Sequence, residues 1–230
     1  MLNTHFKRIA LSATALVAAL SMTAIAQAQG NQAYEVSITN LTQAQIISPA
    51  VVASHVRDAD PLFVLGEAAS PELAKVAEDA MLDDLIAALS SSPDVLDIQT
   101  LFGAGGPIMP GETASVVING FGKYRYVSLA AMLVSTNDAF IGVNGLRVHP
   151  VAHIVRMVPA YDAGSEANTE MCTDIPGPPC GNGGVRVTEG AEGYIYIHPG
   201  LSGKAGDAGP DANVYDWRNP VARISIQLKK

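Results

Sequence analysis

Apolar and polar residues alternate along much of this chain. Tyr34, Val36 and Ile38 are interleaved with Glu35, Ser37 and Thr39, the period of two that marks a half-buried strand. The far end repeats it, with Ala222, Ile224, Ile226 and Leu228 on one side and Arg223, Ser225 and Gln227 on the other. Between these ends, alternation or short apolar runs bounded by turn residues predict strands over residues 113–118, 124–134, 140–143, 151–158 and 194–198. A further run over residues 46–52 is broken by Ser48-Pro49. Proline gives no N–H to a ladder, so that run is expected at a sheet edge or a bulge.

One region keeps a helical period instead. Ser70, Pro71 and Glu72 supply an N-cap, a first helical residue and a first-turn acid. Leu73, Val76, Ala77, Met81, Leu85 and Leu89 then recur at helical spacing. Asp83 and Asp84 interrupt the pattern and predict a break into two helices, and a further short helix is expected over residues 93–100. Residues 101–111 read as a Gly/Pro loop, and residues 163–193 as a long Gly/Pro-rich connection of the kind that often carries function. Many strands, turn signals between them and one helical insertion near residues 70–100 predict an all-β fold, an antiparallel β-sandwich.

The start of the chain stands apart. Lys7 and Arg8 precede an apolar run over residues 9–20, and Ala26-Gln27-Ala28 is a small-x-small cleavage site, with Ala24-Ile25-Ala26 as an alternative. This predicts a secretory signal peptide over residues 1–28 and one domain over residues 29–230, secreted or periplasmic. No other run is long enough for a transmembrane segment. The chain holds 22 acidic against 14 basic residues, a net charge of −8, and the leader removes two basic residues and no acid. Such a surface repels nucleic acid and attracts cations and basic partners. Aromatics make up 6% of the chain, too few for a broad sugar-stacking groove. The only cysteines, Cys172 and Cys180, predict one local disulfide in an oxidising compartment, worth about 2–3 kcal/mol.

Two polar turns carry the candidate chemistry. In the first, Ser135-Thr136-Asn137-Asp138 precedes Ala139-Phe140-Ile141-Gly142; in the second, Asp162, Glu166 and Asn168 surround Gly164. Brought to one end of a sandwich, Asp138, Asp162 and Glu166 repel one another unless a cation sits between them, and a hard ion such as Ca²⁺ takes several oxygens. Asn168 and Asn137 are further candidate oxygen donors. Other readings compete. Asp and Asn also favour turns simply by bonding nearby backbone. His149 and His153 offer a zinc pair, and Asp162 with Glu166 offers a hydrolase carboxylate pair. The chain lacks Gly-x-Ser-x-Gly, His-Glu-x-x-His and phosphate-loop motifs. A metal-free structural envelope protein, with Trp217 as a core anchor and Asp216 paired to Arg218 or Arg223, is the third class.

The same residues carry a resemblance. Tyr161-Asp162-Ala163-Gly164-Ser165-Glu166 resembles the Asp-Ala-Gly-Thr-Asp signature of spondin domains, and residues 135–142 are similar to their Ser-Pro-Asp-Trp-Phe-Val-Gly segment. The opening stretch at residues 34–42 and the closing stretch at residues 216–224 also look like those of bacterial spondin-domain proteins. The resemblance implies a sandwich of about eight antiparallel strands, a Ca²⁺ site in loops at one end, and a role in adhesion or protein–protein interaction with an extracellular or envelope partner. Carried over by position, Asp138 and Asp162 match family aspartates. Glu166 stands where the family has aspartate, and Ala139 where it has tryptophan.

Overall fold

The computed structural model describes residues 32–229, so the expected signal peptide lies outside the described residues. Ten strands form two antiparallel sheets. They are β1 Ala33–Asn40, β2 Ala50–His55, β3 Val95–Leu101, β4 Thr113–Asn119, β5 Tyr126–Met132, β6 Ala139–Arg147, β7 Ile154–Val158, β8 Tyr161–Asp162, β9 Tyr196–Ile197 and β10 Ala222–Leu228. Three short helices accompany them, α1 Pro71–Asp79, α2 Asp83–Ser91 and α3 Ala212–Tyr215. One sheet has the order β4-β1-β10-β7 and the other β3-β2-β5-β6-β8-β9. The sandwich expectation holds; among the described residues the strands number ten because β3 and the two-residue strand β8 join the eight expected.

The terminal strands do what their alternation predicts. β1 pairs with β10 from Tyr34–Leu228 to Asn40–Ala222, which sets Val36 against Ile226 and Ile38 against Ile224 on the buried face. On the solvent face Ser37 bonds Ser115 and Thr39 bonds Thr113 across the strands, each at 2.8 Å. The first core fills the space between the sheets with residues such as Ile38, Ile118, Leu129, Ile141 and Ile224.

A second core lies on the other face of the six-stranded sheet. Val51, Ala130 and Phe140 meet Leu73, Val76, Ala77 and Leu85 of the two helices, and Phe63 packs edge-on to Phe140 at 5.2 Å. The helical insertion is therefore a third layer. β2 and β5 are buried on both faces, which is why neither shows a clean polar side. The Ser70 hydroxyl accepts the Leu73 N–H at 3.2 Å, and Ala80 in the left-handed region ends α1, giving the predicted break.

Two expectations are corrected. Residues 95–101 form β3 rather than a helix, because β2 offers an open ladder and Val95, Ile98 and Thr100 suit a pleated surface. β2 is not an edge strand, since it lies between β3 and β5, but the bulge alternative holds: Ile47 pairs with Leu133 and Val51 with Ala130, a shift of one residue across Ser48-Pro49. Pro49 falls just before β2, where its missing N–H takes nothing from the ladder.

Candidate functional site

The two polar turns meet. Asp138 directly precedes β6, and Ala139 pairs with Asp162 of β8. The Ala163 N–H donates to the Asp138 carbonyl at 3.2 Å. One carboxylate oxygen of Asp138, Oδ2, accepts the N–H groups of Ser165 at 2.8 Å and Glu166 at 3.0 Å, and the Ser165 hydroxyl at 3.3 Å. Asp162 Oδ1 accepts the Gly164 N–H at 2.8 Å. The second turn thus wraps the carboxylate of the first. Gly164 makes the wrap possible: its φ is +63°, and a Cβ there would lie 2.3 Å from the Tyr194 carbonyl oxygen.

Burial defines the electrostatics. Asp138 and Asp162 are 0% exposed and Glu166 is 1% exposed. Desolvation, helped by the charge of Asp162, pushes the Asp138 carboxyl up to about 7 against the pull of the two backbone N–H donors. Burial also raises Asp162, opposed by the Asn168 amide and the Gly164 N–H. Glu166 is pushed up to about 8 by burial, with the Val187 N–H opposing and Glu78 and Asp138 adding to the rise. Two buried carboxylate oxygens, Asp138 Oδ1 and Glu192 Oε2, have no hydrogen-bond partner.

A polar relay closes the site from the β9 side. His198 Nδ1 accepts the Gly200 N–H at 3.0 Å, so the proton of the neutral ring sits on Nε2. Nε2 faces Asn168 Oδ1 at 3.1 Å. That contact turns the Asn168 amide nitrogen toward Asp162 Oδ2 at 2.5 Å, Tyr196 Oη at 3.1 Å and Glu192 Oε1 at 3.3 Å. Asn168 therefore serves the carboxylates as a donor, and its carbonyl oxygen looks the other way. His198 also lies 3.6 Å from Asp162 Oδ2, but burial pushes its imidazole down to about 4, so the contact is not an ion pair near neutrality. The ring packs against Trp217 in a tilted arrangement, with centroids 5.0 Å apart.

Further residues hold the tip together. Asn137 takes the Glu170 N–H at 3.2 Å and donates to Thr169 at 3.3 Å, so it staples the turns to each other. The Glu170 carboxylate in turn gathers the N–H groups of Ser202, Gly203 and Lys204 at 2.8–3.1 Å. Cys172 and Cys180 form the expected disulfide. Its loop buttresses the first turn, with Gly177 N–H on the Val134 carbonyl at 2.8 Å and the Ser135 hydroxyl on the Pro178 carbonyl at 2.5 Å.

The remaining sequence candidates fall elsewhere. His149 accepts the Val151 N–H and His153 bonds Ser225, so each is occupied locally. Trp217 is buried as expected, and Asp216 pairs with Arg218. Two surface grooves are lined by neither Asp162 nor Glu166. The sequence reading singled out none of Glu192, Tyr196 and His198. The available signal was the spacing of Tyr196 and His198, two apart on a strand and hence on one face. Among the described residues, no three His, Cys, Asp or Glu side chains are already gathered for a metal. No family model and no curated protein matches this chain.

Proposed function

We propose that this chain is an exported, Ca²⁺-binding, spondin-like module whose carboxylate tip engages an extracellular or envelope protein. One observation carries the reading. Asp138 Oδ1 is fully buried beside a second buried carboxyl and has no donor. An unsatisfied buried carboxylate oxygen is unfavourable by several kcal/mol unless a proton or a cation meets it. The donor set fits a hard cation: it is all oxygen, and it includes Glu192 Oε2 as a second unpartnered atom. Asp138 and Glu192 offer the open oxygens, and Asp162 and Glu166, which already accept N–H groups, would turn toward the ion to complete its shell. The ion would supply positive charge, locking the turn at 135–138 to the turn at 162–168 and giving a partner a rigid surface. The acidic excess of the chain favours cations and disfavours nucleic acid.

A second reading, a metal-free structural envelope protein, draws on the absence of a gathered three-residue ligand group among the described residues. In that case protons on Asp138 and Glu166 do what the cation would do. Thermal unfolding in EDTA and in Ca²⁺ separates the two. At Ca²⁺ ten times Kd the bound ion stabilises by about 1.4 kcal/mol, which raises Tm by about 3–5 °C. The rise disappears in Asp138→Asn. An identical Tm with and without Ca²⁺ selects the metal-free reading.

A further inference from the structure

The sandwich is closed along one flank and open along the other. On the closed flank Asp97 of β3 accepts both the backbone N–H of Asn119 at 2.8 Å and its side-chain amide at 2.7 Å, tying β3 to β4. On the open flank β6 meets β8 only at Ala139 and Phe140, so among the described residues the rest of β6 has β5 on one side and no strand on the other. Across the gap, and again among the described residues, β7 pairs with β10 alone. Between these two unpaired edges runs a groove of about 560 Å³, walled by apolar side chains that include Phe63, Val143, Leu146, Val158 and Tyr161.

Arg156 gives the groove a chemical identity. It is the middle residue of β7 and stands opposite Ile224, a fully buried core residue, so it lies on the core-facing side between Ile154 and Val158. It lines the groove. Its guanidinium donates to the Val155 carbonyl at 2.9 Å, and among the described residues no carboxylate pairs with it. An inward charge on an edge strand keeps ordinary strands from adding there. It admits a strand that brings the opposite charge to the same place.

We propose that this groove binds an extended segment of a partner protein, added as a strand to the free edge of β7. The segment carries one acidic residue on the groove side, beside Arg156. Apolar residues two positions away on either side of that acid drop onto Val143 and Leu146. Backbone bonds to the open edge supply affinity, and the acid–Arg156 pair supplies selectivity. A second copy of this chain does not suit the edge: antiparallel pairing of β7 with itself about its centre sets Arg156 against Arg156. The inference is independent of the carboxylate tip.

Randomised peptides displayed on phage are selected on the immobilised protein, and enriched sequences are synthesised and measured by fluorescence anisotropy. The expected sequences hold Asp or Glu with apolar residues two positions to either side. Arg156→Glu weakens them by at least about tenfold, and replacing the peptide acid with lysine restores binding to that variant. N-methylation of alternate peptide amides abolishes binding, while methylation of the intervening ones does not. EDTA leaves the affinity unchanged, which separates this result from any failure of the Ca²⁺ reading. Arg156 is exposed, and matching thermal melts for wild type, Arg156→Glu and Arg156→Gln establish that the variants fold. The proposal is overturned by a selection that enriches nothing, by equal affinity for wild type and Arg156→Glu, or by indifference to N-methylation.

Discussion

Asp138 sits where two requirements compete: its carboxyl must be dry enough to organise the Ser165 and Glu166 N–H groups, yet one oxygen is left without a donor. Protons answer that need when no cation does. The folded-state values of Asp138 and Glu166, about 7 and about 8, lie above their ordinary values of 3.8 and 4.5. The stability these protons give is complete below the ordinary values and is lost as pH rises through the folded ones. His198 acts oppositely, since its value falls from 6.5 to about 4 and its penalty appears only as pH drops below 6.5. Between pH 6.5 and about 8 the carboxyls therefore govern the trend. Scanning calorimetry in EDTA should show Tm falling across that window, and saturating Ca²⁺ should flatten the fall. A flat profile in EDTA contradicts the protonated carboxyls. Gly164→Ala tests the wrap itself. Its Cβ would collide with the Tyr194 carbonyl in a left-handed backbone, and urea unfolding should report a loss of about 2–3 kcal/mol.

At the scale of elements, the long connection over residues 163–193 is fastened rather than loose. The Gly184 N–H donates to Asp79 of α1 at 2.8 Å, and Arg186 pairs with the buried Glu78 at 2.5 Å. Val187 then donates to Glu166 at 3.0 Å. The strap so formed connects the helical layer to the carboxylate tip. Arg186→Met leaves Glu78 buried without its cation, close to Glu166. The expected result is a loss of about 1–3 kcal/mol by urea unfolding and faster proteolysis within residues 182–193. An unchanged unfolding midpoint removes the strap from the account. Elements with their own periodicity were legible in the sequence. β1 and β10 alternate, and α1 announces itself through Ser70, Pro71 and Glu72. β3 was not legible, because Val95 to Thr100 are only half buried on both sides and its strand state comes from the β2 edge it completes. Pro49 was half legible: it marks the register shift between Ile47 and Val51, whereas the edge position it also suggested is taken by β3.

The whole molecule explains why the site was only partly visible. Asp138, Asp162 and Glu166 could be read as two acidic turns, and the fold packs those turns against each other. Glu192, Tyr196 and His198 reach the same place through the β6-β8-β9 ladder, whose outer two strands have only two residues each. The strand over residues 194–198 was legible, but its pairing with β8 was not, because two residue pairs are too few to mark a partner in the sequence. The Cys172–Cys180 loop supports the first turn. Replacing both cysteines with serine should lower stability by about 2–3 kcal/mol, and Ca²⁺ affinity should weaken in the same variant because Ser135 loses its anchor at Pro178. Unchanged affinity would mean that the first turn stands without its buttress.

Isothermal titration of Ca²⁺ into EDTA-treated protein at pH 7, run in two buffers of different ionisation enthalpy, addresses the buried carboxylates most directly. The account predicts saturable binding with Kd on the order of 10⁻⁴–10⁻³ M. It also predicts a heat that differs between the buffers, because the ion displaces protons from Asp138 and Glu166. Absence of saturable heat, or binding with the same heat in both buffers, contradicts it.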